Sequence, residues 1–123
     1  MFLKVISEQM KKLAIPYEFG EWTADIVYPD TVGEYLEPEP ITEDGASEIS
    51  FILTGTNRGD FITLEELKKK VKKHFHPVNG YRASVDGATI AVFYAGAFPV
   101  PTGEAGLKRI QINLKIKVWE GAI

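Results

Sequence analysis

Two histidines, a run of acids, a glycine pair and a block of lysines are the residues whose chemistry needs explaining first. His74 and His76 stand two apart at the end of a helical pattern. That spacing puts them on different helical faces, so joint metal ligation would require the helix to end between them. Their neighbours are lysines, which repel a cation, and a helix C-terminus favours cationic side chains by its dipole alone. Both are read as structural. The acids between 34 and 48 do not space oxygen ligands as a calcium loop does, because prolines occupy positions 38 and 40. Gly55-Thr-Asn-Arg-Gly59 links a strand to a helix but lacks the lysine and the spacing of a phosphate loop. It is read as a glycine turn.

The chain has no cysteine. This excludes disulfides, thiolate metal sites and cysteine nucleophiles, and agrees with a reducing cytoplasm. No serine, histidine and aspartate fall into a hydrolase motif, and no zinc-protease helix is present. No nucleophile, base and orienting group can be assembled, so the chain is expected to be no enzyme and to need no cofactor or metal. The lysines at 68, 69, 70, 72 and 73 are the one feature suited to nucleic acid. The first half of the chain is strongly acidic and no interleaved aromatic platform is visible, so a solvated or partner-facing helix surface is favoured.

The charge distribution says more than the net charge of −3. Residues 17–60 hold eleven acids and one base, Arg58, whereas residues 61–123 hold five acids and ten bases. Either the two halves pair within the fold, or the acidic side of one subunit meets the basic side of the next. The loop predicted over 96–106, with Phe98 and Val100 between prolines, is too apolar to be idle and is a candidate contact.

These features need elements to position them. Phe2, Ile6, Met10 and Leu13 predict an amphipathic helix over 2–14, stopped by Pro16. Strand-like alternation runs through 17–28, a turn follows at Pro29-Asp30, and a second strand is expected near 32–36. Residues 37–45 read as an exposed loop or hairpin tip. Residues 47–58 form a strand, with Gly55 suggesting a bend or bulge and Gly59 an exit turn. Thr63 and Glu66 suggest a capping box for a helix whose stripe is Leu64, Leu67, Val71 and Phe75, ended by Pro77 and Gly80. Asp86-Gly87 predicts a two-residue hairpin turn. Ile110, Ile112, Leu114, Ile116 and Val118 alternate with polar residues along a long final strand. At 123 residues the chain is expected to be one domain, 1–123, of α+β class, with a mainly antiparallel sheet and two helices packed on one face. No apolar run would span a bilayer, and residues 1–13 lack the apolar core of a signal peptide, so a soluble, unprocessed chain is expected.

In this order the chain resembles the tail terminator (tail completion) proteins of long-tailed bacteriophages and prophages. The likeness is carried by an N-terminal helix before Tyr17-Glu-Phe19, and by an acidic hairpin before Phe51-Ile-Leu-Thr-Gly-Thr-Asn-Arg-Gly59. It continues through the helix Leu64–Phe75, a hairpin and the long strand Ile110–Trp119. The resemblance implies a structural subunit of a hexameric ring that caps the tail tube, ends its polymerisation and offers the surface that joins the head. It further implies the major tail tube protein and head-tail connector proteins as partners, no cofactor, and a place in the virion after assembly in the bacterial cytoplasm. A connector or neck protein of similar design, or a nucleic-acid-binding accessory protein using Lys68–Lys73, are the alternatives. The expected contact residues are Glu34, Glu37, Glu39, Glu43 and Asp44 on the acidic side, and Lys69, Lys72, Arg109, Lys115 and Lys117 on the basic side. Phe98 and Val100 form a second contact.

Overall fold

In the computed structural model, which describes residues 2–36 and 45–120, six strands and two helices form an α+β fold. Helix α1 spans Phe2–Lys12, strand β1 Tyr17–Phe19, β2 Asp30–Tyr35 and β3 Ser47–Arg58. Helix α2 spans Ile62–His74, and β4 Tyr81–Val85, β5 Ala88–Pro99 and β6 Leu107–Trp119 follow. The strands lie in the order β1-β2-β3-β6-β5-β4. Every pair is antiparallel except β1 with β2. No helix among the described residues is long and apolar enough to cross a membrane.

The alternation of β6 settles which face is covered. Ile110, Ile112, Leu114, Ile116 and Val118 are buried, together with Ile49, Phe51 and Leu53 of β3 and Ile90 and Val92 of β5. Val5, Ile6 and Met10 of α1 and Leu64, Leu67 and Val71 of α2 complete this core. Phe75, just past α2, is buried with them. Both helices therefore cover one face of the sheet, as the helical stripes demand. They also meet each other: His74 Nε2 of α2 stands 2.8 Å from Gln9 Oε1 of α1, and Lys70 Nζ donates to the carbonyl of Leu13, just past α1, at 3.1 Å.

Gly55 marks a close approach rather than a bend. The β3–β6 register runs unbroken past it, and a Cβ there would stand 2.8 Å from Leu67 Cδ2. Gly59, at φ +107°, makes the exit turn, and its N–H donates to the Gly106 carbonyl at 2.7 Å. The Asp86-Gly87 turn is as expected, with φ of 50° and 82°.

Four further local expectations are corrected. The strand expected over 17–28 ends at Phe19, because Gly20 turns at φ +86° and the Glu18 carboxylate folds the chain over. Glu18 accepts from the N–H groups of Thr23 and Ala24 at 3.0 and 3.1 Å and from the Thr23 hydroxyl at 2.8 Å. Pairing of β1 with β2 is parallel, since the loop 20–29 is long enough to carry the chain back. Helix α1 stops at Lys12 rather than at 14, where Ala14 takes φ +56° and the Ile15 N–H donates to the Met10 carbonyl. The predicted loop 96–106 begins only at Val100: a bulge between Tyr94 and Ala97 restores the ladder, so Ala97, Phe98 and Pro99 pair with Ile112, Gln111 and Ile110.

The fourth correction concerns the cap of α2. Thr63 lies inside the first turn, and Asp60 Oδ1 accepts its N–H at 2.9 Å and its hydroxyl at 3.0 Å. These bonds favour the ionised carboxylate and hold the Asp60 pKa below the ordinary value. A depressed folded pKa gives stability that is full above the unfolded value and lost as pH falls through the folded one. Asp60→Ala is therefore expected to lower the thermal midpoint at neutral pH, with the gap to wild type closing in acid. An equal gap at both pH values in paired melting curves would count against this role.

Candidate functional site

The two histidines separate. His74 Nε2 stands 2.8 Å from Gln9 Oε1, and its ring stacks on Tyr81 at 5.2 Å. His76 Nδ1 instead accepts the N–H groups of Val78 and Asn79, both at 3.1 Å, closing the turn after α2. Among the described residues no group of three or more His, Asp or Glu side chains could hold a metal ion.

Desolvation, and secondly the charge of Lys12, push the His74 pKa below its ordinary 6.5. The folded state then releases a proton that the unfolded chain still binds. Stability from this group is full above pH 6.5, falls as the pH drops below that, and levels off under the folded pKa. His74→Gln should flatten the dependence of the urea midpoint between about pH 7.5 and about pH 5.5. An unchanged slope would show that other groups carry it.

The expected contact residues divide between the two sides of the sheet. Arg109, Lys115 and Lys117 alternate with the buried residues of β6, so they point away from the helices. Arg109 Nε donates to Thr56 Oγ1 at 3.3 Å. It faces Asp30, whose pKa is raised by desolvation and pulled back by the Arg109 charge. Lys117 Nζ lies 3.5 Å from Glu48 Oε1 and 6.0 Å over the Trp119 ring, and Lys115 is exposed. Glu34, on β2 opposite Ile52, is exposed on this same bare face. Phe98, paired with Gln111 and 47% exposed, joins it at the β5 end.

Lys69 and Lys72 belong to α2 and so to the other side. Lys69 is exposed, and Lys72 Nζ lies 5.5 Å over the Tyr94 ring. The two basic segments therefore do not form one surface, and Glu34 shares a face with one of them. An acid of the first half pairs with a base of the second through Glu48 and Lys117, while Arg58 and Glu104, at 3.4 Å, join the halves with the signs reversed. Glu37, Glu39, Glu43 and Asp44 lie outside the described residues.

Val100 is half-buried, with its N–H donating to the Arg109 carbonyl at 3.0 Å. It lines an open depression of about 500 Å³ with Phe61, Pro101 and Leu107. Two features escaped the sequence reading. The first is the loop 20–29, which exposes Glu21, Asp25, Ile26, Val27 and Tyr28, with Ile26 77% exposed. Its signal was present: Ile26-Val27-Tyr28 is a consecutive apolar run, which breaks the alternation of a half-buried strand. The second is a basic depression of about 450 Å³ between α1, α2 and β4, lined by Leu13, Lys70, Lys73, His74 and Tyr81. No local signal announces it, because its walls come from three separate segments.

Compared with known proteins, the chain matches no protein-family model, and no curated protein matches it.

Proposed function

We propose that this chain is a structural subunit of a phage or prophage tail, which joins copies of itself in a ring at the head-proximal end of the tail tube. There it ends tube polymerisation and offers the surface to which head-tail connector proteins attach. The observation that carries this reading is the bare face of the sheet. Helices α1 and α2 pack on the other face. The bare one presents Glu34, Arg109, Lys115 and Lys117 with Ile52, Phe93 and Phe98 between strands, a mixture of charge and apolar area suited to an interface. The element order that resembles tail terminator proteins supports it as well, since the chain folds in that order.

Native mass spectrometry of the chain, alone and with the major tail tube protein, tests the reading. A ring, or a complex that halts tube growth, is the expected result. A monomer at every concentration, without effect on tube length, would sink it. The exposed Lys69 and the neighbouring α2 lysines favour a second reading, a nucleic-acid-binding accessory protein. In a gel-shift titration Lys69→Glu with Lys72→Glu would then abolish binding, whereas ring assembly leaves no shift to abolish.

A further inference from the structure

We propose that the depression between α1, α2 and β4 is a socket for the 20–28 loop of a second copy of this chain, an inference that rests on the self-association proposed above. The socket is built to receive negative charge. Lys70 is pinned at its mouth, since its ammonium donates to the Leu13 carbonyl at 3.1 Å and keeps its other N–H groups for a ligand. Lys73 lines the same depression, and the residues three and four before it are Lys70 and Lys69, so its own helix offers it no acid. Lys12 on α1 is near enough to depress the His74 pKa by its charge.

The floor is apolar and rigid. His74 is held by Gln9 and stacked on Tyr81 with ring planes 24° apart, Phe75 meets both rings edge-on, and Leu13 closes one side. Carboxylates over an apolar tip would fit this combination better than a free inorganic anion, which leaves the apolar floor uncovered. At about 450 Å³ the depression takes a few side chains, not an extended duplex.

The 20–28 loop has the matching chemistry on another part of the molecule. Glu21 and Asp25 are exposed on either side of Trp22, and Ile26 and Val27 project beside them. Three bonds to Glu18 and a fourth from Trp22 Nε1 to the Asp25 carbonyl at 3.1 Å hold the loop in shape. Little ordering entropy is then lost on docking. A plug and a socket on different parts of one chain make a heterologous contact, the kind that closes into a ring.

The test is sedimentation velocity at low salt on wild type, Lys73→Glu, Glu21→Lys with Asp25→Lys, and the chain carrying all three changes. Lys70 is left in place because it caps Leu13, and circular dichroism checks each fold. Each reversal alone is expected to weaken association by roughly ten-fold or more, and the combined chain to regain it. Should a reversal unfold the chain, Lys73→Gln and Asp25→Asn must show smaller losses of the same sign. Undiminished rings in both reversed variants overturn the socket while leaving the ring reading intact. Wild type that is monomeric alone and with tube protein overturns both. A loss with Lys73→Glu but none with the loop variant overturns the occupant named here. A gel shift abolished by Lys73→Glu would then assign the depression to nucleic acid.

Discussion

Phe51→Ala is expected to cost about 3–5 kcal/mol, the usual range for truncating a fully buried aromatic side chain. Phe51 sits near the middle of β3, has no exposed surface, and pairs with Tyr35 on one side and Leu114 on the other. Its ring also meets Phe2 edge-on at 6.4 Å and Phe19 at 6.3 Å. The change therefore loosens α1 and β1 as well as opening a cavity in the sheet. Against a typical domain stability of about 5–15 kcal/mol the loss is a large share of the whole. Urea unfolding followed by fluorescence would measure it, with the midpoint falling and the slope unchanged. Phe51→Leu, which keeps much of the volume, should cost clearly less. A loss under about 1 kcal/mol for the alanine variant would mean that the Phe2–Phe19–Phe51 cluster is not packed as described.

The second large effect comes from adding atoms. A Cβ at Gly33 would lie 2.5 Å from Tyr17 Oη and 2.8 Å from Phe51 Cζ. Gly33→Val is expected to cost about 1–3 kcal/mol or more, because the small gain in strand propensity cannot offset overpacking between two aromatic rings. Tyr17 gives a way to check the cause. Burial pushes its pKa up to about 12, and its hydroxyl has no hydrogen-bond partner among the described residues. Removing an unsatisfied buried hydroxyl is close to neutral by itself. Tyr17→Phe should thus be mild alone, yet relieve part of the cost of Gly33→Ala, since it deletes the nearest of the three clashing atoms and leaves Tyr17 Cε1 and Phe51 Cζ, both at 2.8 Å. Strict additivity in that double-mutant cycle would refute the clash as the cause.

What a short stretch of sequence encodes is visible wherever the signal is local. The buried stripe of α2, the turn at Asp86-Gly87 and the alternation of β6 each depend on neighbours a few residues away, and each is found where those neighbours put it. The Thr63 cap failed for a related reason: Asp60 and Thr63 both carry capping oxygens, and only the backbone path after Gly59 decides which is used. The overreach at 17–28 arose because aromatic spacing resembled strand alternation while the Glu18 carboxylate, a competing local hydrogen-bond acceptor, folded the chain instead. The extension of β5 to Pro99 needed a bulge that only the partner strand β6 reveals.

The contact residues show the same division more sharply. The sequence by itself determined that this protein is a two-helix, six-strand α+β chain with an acidic first half, a basic second half and an amphipathic last strand. It also singled out Lys69, Lys72, Arg109, Lys115 and Lys117 as bases in need of an explanation. Only the tertiary structure decided that the first two stand on the helix side and the last three on the bare side, with Glu34 among the latter. It alone brought Leu13, Lys73 and Tyr81 to one depression and set the Glu21–Val27 loop apart as an acidic, apolar tip. Periodicity tells which side chains share a face of their own element. Which face then meets solvent, and what stands across from it, depends on pairings between segments tens of residues apart, and those are determined by packing rather than by any local pattern.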